Sequence, residues 1–176
     1  MSTLRNPISA DDHLLGSPKA AIQLVEYGDY QCPYCGEAYP VVKELARRYG
    51  DRLAIVFRHF PLTEAHPEAF NAALVAEFAG SLGQFWAAHD ALYENQDRLG
   101  PELYGEIVAS LGQSAEQFQR AVDSGAFETR IRHQMEGGLR SGVNGTPCFF
   151  INGQRHDLTG SFDTLLDVVG QLVERT

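Results

Sequence analysis

What the 176-residue chain lacks narrows its class first. No apolar run approaches the roughly 18 residues that a membrane helix needs, so no membrane insertion is expected. There is no excess of positive charge: 14 Lys and Arg stand against 23 Asp and Glu, a net charge of −9. No basic stripe offsets that balance, so nucleic acid is not an expected partner, and an acidic surface does not suit anionic lipid. The first twenty residues hold Pro7, Asp11, Asp12, His13 and Pro18 but no apolar segment of a signal peptide. The expected compartment is the cytoplasm, or the periplasm or another extracytoplasmic space if a signal has been removed. No internal repeat, low-complexity tract, P-loop, nucleotide fingerprint, Gly-x-Ser-x-Gly or kinase signature occurs. Three cysteines are too few for a disulfide scaffold, and their spacing points to chemistry instead.

What is present is a core-forming composition, 44% hydrophobic and 21% charged, which predicts one globular domain with room for an insertion. Residues 21–27 alternate as a strand, with Ile22, Leu24 and Glu26 on one face. A turn, Gly28-Asp29-Tyr30-Gln31, leads to a helix that begins near Cys32, with Pro33 in its first turn and Gly50 as its stop. Residues 53–60 form a second strand, parallel to the first through this helical crossover. Residues 66–141 carry helical periodicity throughout, including a possible capping box at Ser114 and Gln117. Phe85, Trp86 and Tyr93 are expected as that block's own aromatic core. Pro147 to Ile151 returns to strand, Asn152-Gly153 is a hairpin turn, and Ser161 caps a last helix. The order β-α-β, helical block, β-β-α predicts an α/β fold. Residues 21–65 and 142–176 would form one sheet-containing domain, and residues 66–141 an inserted helical subdomain. Residues 1–20 would be an arm with little regular structure.

Cys32-Pro33-Tyr34-Cys35 is the central chemical signal. At a helix start, Cys32 meets unpaired backbone N–H groups and the positive end of the helix dipole. Both favour the thiolate, the form that attacks disulfides. Cys35, one turn inward, can resolve the mixed disulfide. Glu26 shares a strand face with Ile22 and Leu24. As a buried carboxylate it would exchange a proton with Cys35; on a solvated edge strand it would have no such role. No second CxxC or CxxH completes four zinc ligands, so no metal is expected, and the chemistry requires no bound cofactor. Thr146-Pro147, entering a strand from a glycine-rich loop, is a candidate cis bond. Cys148 reads as a small apolar strand residue facing away from Pro147, or as a third thiol or metal ligand beside the pair. Six histidines are scattered, and none sits at metal-ligand spacing with a carboxylate partner. Arg58 and His59, ending the second strand, either touch the site or satisfy loop carbonyls.

Three stretches carry a family resemblance: Val25-Glu26-Tyr27-Gly28-Asp29 before the cysteines, Phe57-Arg58-His59-Phe60-Pro61-Leu62, and Gly145-Thr146-Pro147-Cys148-Phe149-Phe150-Ile151-Asn152-Gly153. With the order of elements they resemble the DsbA-like thiol–disulfide oxidoreductases of the thioredoxin superfamily over residues 12–174. The resemblance implies a thioredoxin fold with a helical insertion and a cis Pro147 packed against the cysteine pair. It implies that the Thr146 backbone docks an extended client peptide by strand addition. It also implies that Glu26 is the buried acid of such sites. The implied partners are client proteins with thiols or disulfides and a redox partner, either glutathione or a thiol reductase or oxidase. Pro33-Tyr34 is similar to the dipeptide of glutaredoxins, which places the expected potential between roughly −150 and −240 mV. Two other functions fit parts of the sequence. One is a glutathione-dependent transferase or isomerase on small molecules. The other is a module holding zinc or an iron–sulfur cluster with Cys148.

Overall fold

The alternation at Ile22, Leu24 and Glu26 becomes the middle strand of a sheet. The computed structural model, which describes residues 2–176, places it as β2 (Ile22–Gly28). β2 pairs parallel with β3 (Leu53–His59), Ile22 opposite Leu53 and Gly28 opposite His59. On its other side it pairs antiparallel with β4 (Cys148–Ile151), which turns back as β5 (Gln154–His156). Asn152 and Gly153 both take positive φ, 49° and 80°, as the tight turn between β4 and β5 requires. Helix α1 (Pro33–Tyr49) connects β2 to β3, with a proline in its first turn and Pro40 inside it.

Between β3 and β4 run five helices: α2 (Ala69–Ser81), α3 (Phe85–Glu94), α4 (Pro101–Ser110), α5 (Ala115–Asp123) and α6 (Ala126–Arg140). The capping box at α5 is formed: Gln117 N donates to Ser114 Oγ at 3.1 Å, and Ser114 N to Gln117 Oε1 at 2.8 Å. The chain ends with α7 (Asp163–Glu174).

The period-2 pattern sorts the core into two faces. Leu24, Ile55 and Phe149 face α1 and α7, where Leu45, Leu165 and Val169 complete a fully buried layer. Val25, Tyr27, Val56, Cys148 and Phe150 face the other way. There α6 approaches closely because Gly138 has no side chain: a methyl group would sit about 3.0 Å from both Tyr27 and Phe60.

Two expectations change. The arm is not irregular: His13–Gly16 forms an edge strand, β1, antiparallel to β3, completing the order β1-β3-β2-β4-β5. Thr3 bridges to Gln154 at the opposite edge, and Leu4, Ile8 and Leu14 cover the Tyr27 face in between. The arm is therefore a strap across the sheet. Arg58, buried beneath it, donates to the Asn6 and Pro7 carbonyls and to both Asp12 carboxylate oxygens. Four residues are too few for a strand to announce itself by periodicity, and the strap's partners lie some forty residues away or more. The second change concerns the aromatic cluster. Phe85 and Tyr93 do not form a separate core with Trp86, which is only partly buried against them. They pack with Tyr30, Phe57, Cys32 and Cys35 in one buried cluster that joins the helical block to the sheet.

Candidate active site

The reactive turn lies where β2 ends and α1 begins. Cys32 is the N-cap residue of α1 and Cys35 lies in its first turn; both are free thiols. No acidic residue stands in that first turn, so a thiolate there would meet the positive helix end without a competing carboxylate. The Cys32 thiol donates to the Thr146 carbonyl at 3.6 Å. The Thr146–Pro147 peptide is cis. The Thr146 hydroxyl is buried and makes no other hydrogen bond.

These surroundings separate two chemically identical groups. A hydrogen bond from the Cys35 thiol, aided by the Thr146 hydroxyl and the Cys35 and Tyr34 amides, holds Cys32 down at about 5 against the opposing effect of burial. Burial pushes Cys35 well above the usual thiol range, and its bond to Cys32 and the charge of Glu26 push the same way. Glu26 is itself buried, 4% exposed, on the face toward α1. Loss of hydration, with the nearby charge of Cys32, raises its carboxyl to about 8. Tyr34 is the outward residue of the motif, 63% exposed. It stands over a cleft of about 260 Å³ whose floor includes Thr146 and Pro147. Cys32, Cys35, Glu26, Pro33, Tyr34, Thr146 and Pro147 thus come together at one end of the sheet.

Other candidates lie elsewhere. Cys148 packs in the cluster on the opposite face, where burial raises its thiol, although it also lines the cleft beside Thr146 and Pro147. Among the described residues no three His, Cys, Asp or Glu side chains are grouped to hold a metal. Arg58 pins the strap, and His59 Nε2 donates to Glu77 at 2.9 Å. The histidines do find a carboxylate: His13 Nε2 also reaches Glu77, at 2.7 Å, and Arg130 pairs with it at 2.6 Å. Positions 13, 59, 77 and 130 are joined only by the tertiary fold, so no local spacing could show them.

Residues the sequence reading missed support the turn. Asp29 Oδ1 accepts the Gln31 and Cys32 amides at 2.8 and 3.2 Å. Its Oδ2 accepts Leu62 N at 2.9 Å and His66 Nδ1 at 2.8 Å. An Asp three residues before a helix-starting cysteine is the one local signal that could have marked it. Tyr93 and Gln96 reach the same turn from the end of α3 and had no such signal.

The chain matches the family model described as Thioredoxin over residues 9–170. It is 40% identical over 158 residues to the Na(+)/H(+) antiporter NhaA 1 of Mycobacterium sp. (strain KMS), covering 88% of this chain and 26% of that protein. It is likewise 40% identical over 151 residues to the NhaA 1 of Salinispora arenicola, covering 85% of this chain and 23% of that protein. The chain therefore spans about a quarter of the length of these relatives. A solved thioredoxin-like oxidoreductase from Silicibacter pomeroyi DSS-3 superposes with a TM-score of 0.79 at 26% identity, over 94% of each chain. Oxidised BdbD from Bacillus subtilis has the same fold, with a TM-score of 0.82 at 19% identity over 98% of each chain. Among the described residues no helix is long and apolar enough to cross a membrane.

Proposed function

The chain belongs to the thioredoxin family, and from that premise we propose that it is a DsbA-like thiol–disulfide oxidoreductase acting on protein thiols through Cys32 and Cys35. The observation that carries this reading is the split between the two cysteines: one held down at about 5, its neighbour pushed up, beside a buried acid raised to about 8.

The reaction begins with the Cys32–Cys35 disulfide. A client thiolate attacks Cys32 Sγ, the S–S bond breaks, and the electron pair leaves on Cys35. Glu26, protonated near neutral pH, gives that thiolate its proton. A second client thiolate then attacks the client sulfur of the mixed disulfide and expels Cys32. Because Cys32 is stable as a thiolate, it leaves readily. The client gains a disulfide, and the enzyme holds the two electrons as Cys32 thiolate and Cys35 thiol until a redox partner reoxidises it. In the reverse direction Cys35 attacks the mixed disulfide. Cys32 is then bonded and uncharged, so one cause of Glu26's raised pKa is gone and the carboxylate is more available to take the Cys35 proton. Thr146 would dock an extended client beside Tyr34. Electron flow from client to enzyme follows from the stable thiolate, and we expect a potential nearer about −150 mV than −240 mV.

The test is trapping. Cys35→Ser should accumulate a mixed disulfide when its Cys32 thiolate attacks a disulfide-bonded two-cysteine peptide and expels one peptide thiolate, and Cys32→Ser should exchange nothing. Turnover of small electrophiles that survives Cys35→Ser when glutathione is present would replace this reading with the transferase one.

A further inference from the structure

The turn before the reactive helix is gripped by the helical block, and one of the gripping side chains has no part in the chemistry above. Gln96 lies in the short turn after α3, and its Nε2 donates to the Tyr30 and Cys32 carbonyls, each at 2.8 Å. The Oε1 of the same amide lies against Gly36, so close that a methyl group on Gly36 would collide with it. Glycine within a helix is disfavoured relative to alanine, and the seat it leaves for Gln96 accounts for its presence in α1. The Tyr30 and Cys32 carbonyls are negative dipole ends, one within the Cys32 residue and one two residues before it. The Cys32 carbonyl also accepts the Gly36 amide at 3.1 Å, but the Tyr30 carbonyl left unpaired in a buried turn would be costly, and both would oppose a nearby anion. The Gln96 amide answers both.

We propose that Gln96 is a positioning residue of the redox site: through the Tyr30 and Cys32 carbonyls it fixes the peptide of Cys32 and so sets the reactivity of its sulfur. This rests on the reading of Cys32 as the exchanging thiol. With that peptide fixed, the Tyr34 and Cys35 amides keep their bonds to the sulfur. Gln96 also gives the helical block a polar hold on the residue of Cys32 itself, whereas the Tyr93 hydroxyl bonds the Asp29 carbonyl.

Three variants of the full chain test this: Gln96→Leu, which removes the donors; Gln96→Glu, which keeps the shape but adds charge; and Gly36→Ala, which displaces the amide while favouring the helix. Two readouts matter: the pH midpoint for alkylation of Cys32, and the equilibrium of the Cys32–Cys35 pair with glutathione. Gln96→Leu should raise the midpoint by about one pH unit and make the pair about tenfold harder to reduce to dithiol, an equilibrium change equivalent to about 30 mV. Gln96→Glu should move further the same way, and Gly36→Ala should follow in direction. Should Gln96→Leu fail to fold, the other two carry the test. Unchanged midpoints and equilibria, with equal loss of stability in both redox forms, would show a merely structural residue and overturn the proposal while leaving the reading of Cys32 intact. A wild-type Cys32 that titrates as an ordinary thiol would overturn both.

Discussion

Two buried glutamates at the two ends of one cluster of aromatic rings have opposite fates. Glu26 and Glu77 are 4% and 3% exposed, so burial cannot distinguish them. Glu77 is hydrogen-bonded by His13 and His59, whose bonds and charges hold it well below the usual carboxylate range despite its burial, and Arg130 pairs with its other oxygen. Glu26 has the Cys32 thiol near it instead of a cation, and desolvation carries it up to about 8. What a carboxylate can do in the interior is thus set by its partner, and the fold supplies one region of each kind. Around Glu77 the charges are matched and clamp β1, β3, α2 and α6 together. Around Glu26 they are deliberately unmatched, and a proton there is free to move.

The largest expected effect comes from breaking the matched region. Glu77→Leu strands two imidazoles and a guanidinium and should cost about 3–5 kcal/mol in urea unfolding. Because the folded pKa of Glu77 is depressed, its contribution is full above the unfolded value of about 4.3 and is lost as pH falls below it. The penalty of the variant should therefore shrink in acid. A pH-independent penalty would assign the loss to packing alone.

Glu26→Gln should do the reverse. The folded pKa of Glu26 is raised, so the wild type is best off below about pH 4.3 and loses stability as pH rises toward 8. The variant should gain on the order of 4 kcal/mol near pH 8 and almost nothing near pH 4, read from melts at both values. The same change should slow resolution of the mixed disulfide on the order of 10²-fold in quenched-flow measurements, because Cys35 loses its proton acceptor. A variant that is more stable and resolves as fast as wild type would leave Glu26 without a catalytic role.

The smallest effect is expected on the opposite face. Cys148→Ala should cost about 1 kcal/mol of packing and leave the Cys32 exchange rate unchanged. A changed rate would mean that Cys148 acts on exchange through the cleft it lines beside Pro147.

Much of this was legible in the residues. Cys32 and Cys35 after a strand, Thr146-Pro147 before a hairpin, and the Asn152-Gly153 turn are local patterns, and local patterns survive into sequence. The Ser114 capping box was read for the same reason. The strap was missed because the polar, proline-broken stretch around Leu14 and Leu15 gives no alternating run, and its pairing to β3 is non-local. The Glu77 clamp and the Gln96 contacts were missed because side chains tens of residues apart meet only when the helical block packs. The aromatic cluster was read as a core but assigned to the wrong owner. The spacing of Phe85, Leu92 and Tyr93 shows one apolar helix face and says nothing of what it joins, a cluster that includes Tyr30, Phe57 and the cysteine pair.

The central claim is that the fold makes Cys32 an acid near pH 5 and leaves Cys35 and Cys148 as ordinary or weaker ones. The ultraviolet absorbance of thiolate in the reduced protein, followed from acid to neutral pH with Cys32→Ser as the blank, measures this directly. The account predicts one thiol titrating with a midpoint near 5, absent from the variant. No thiolate appearing until about pH 8, or a signal that survives in Cys32→Ser, would contradict it.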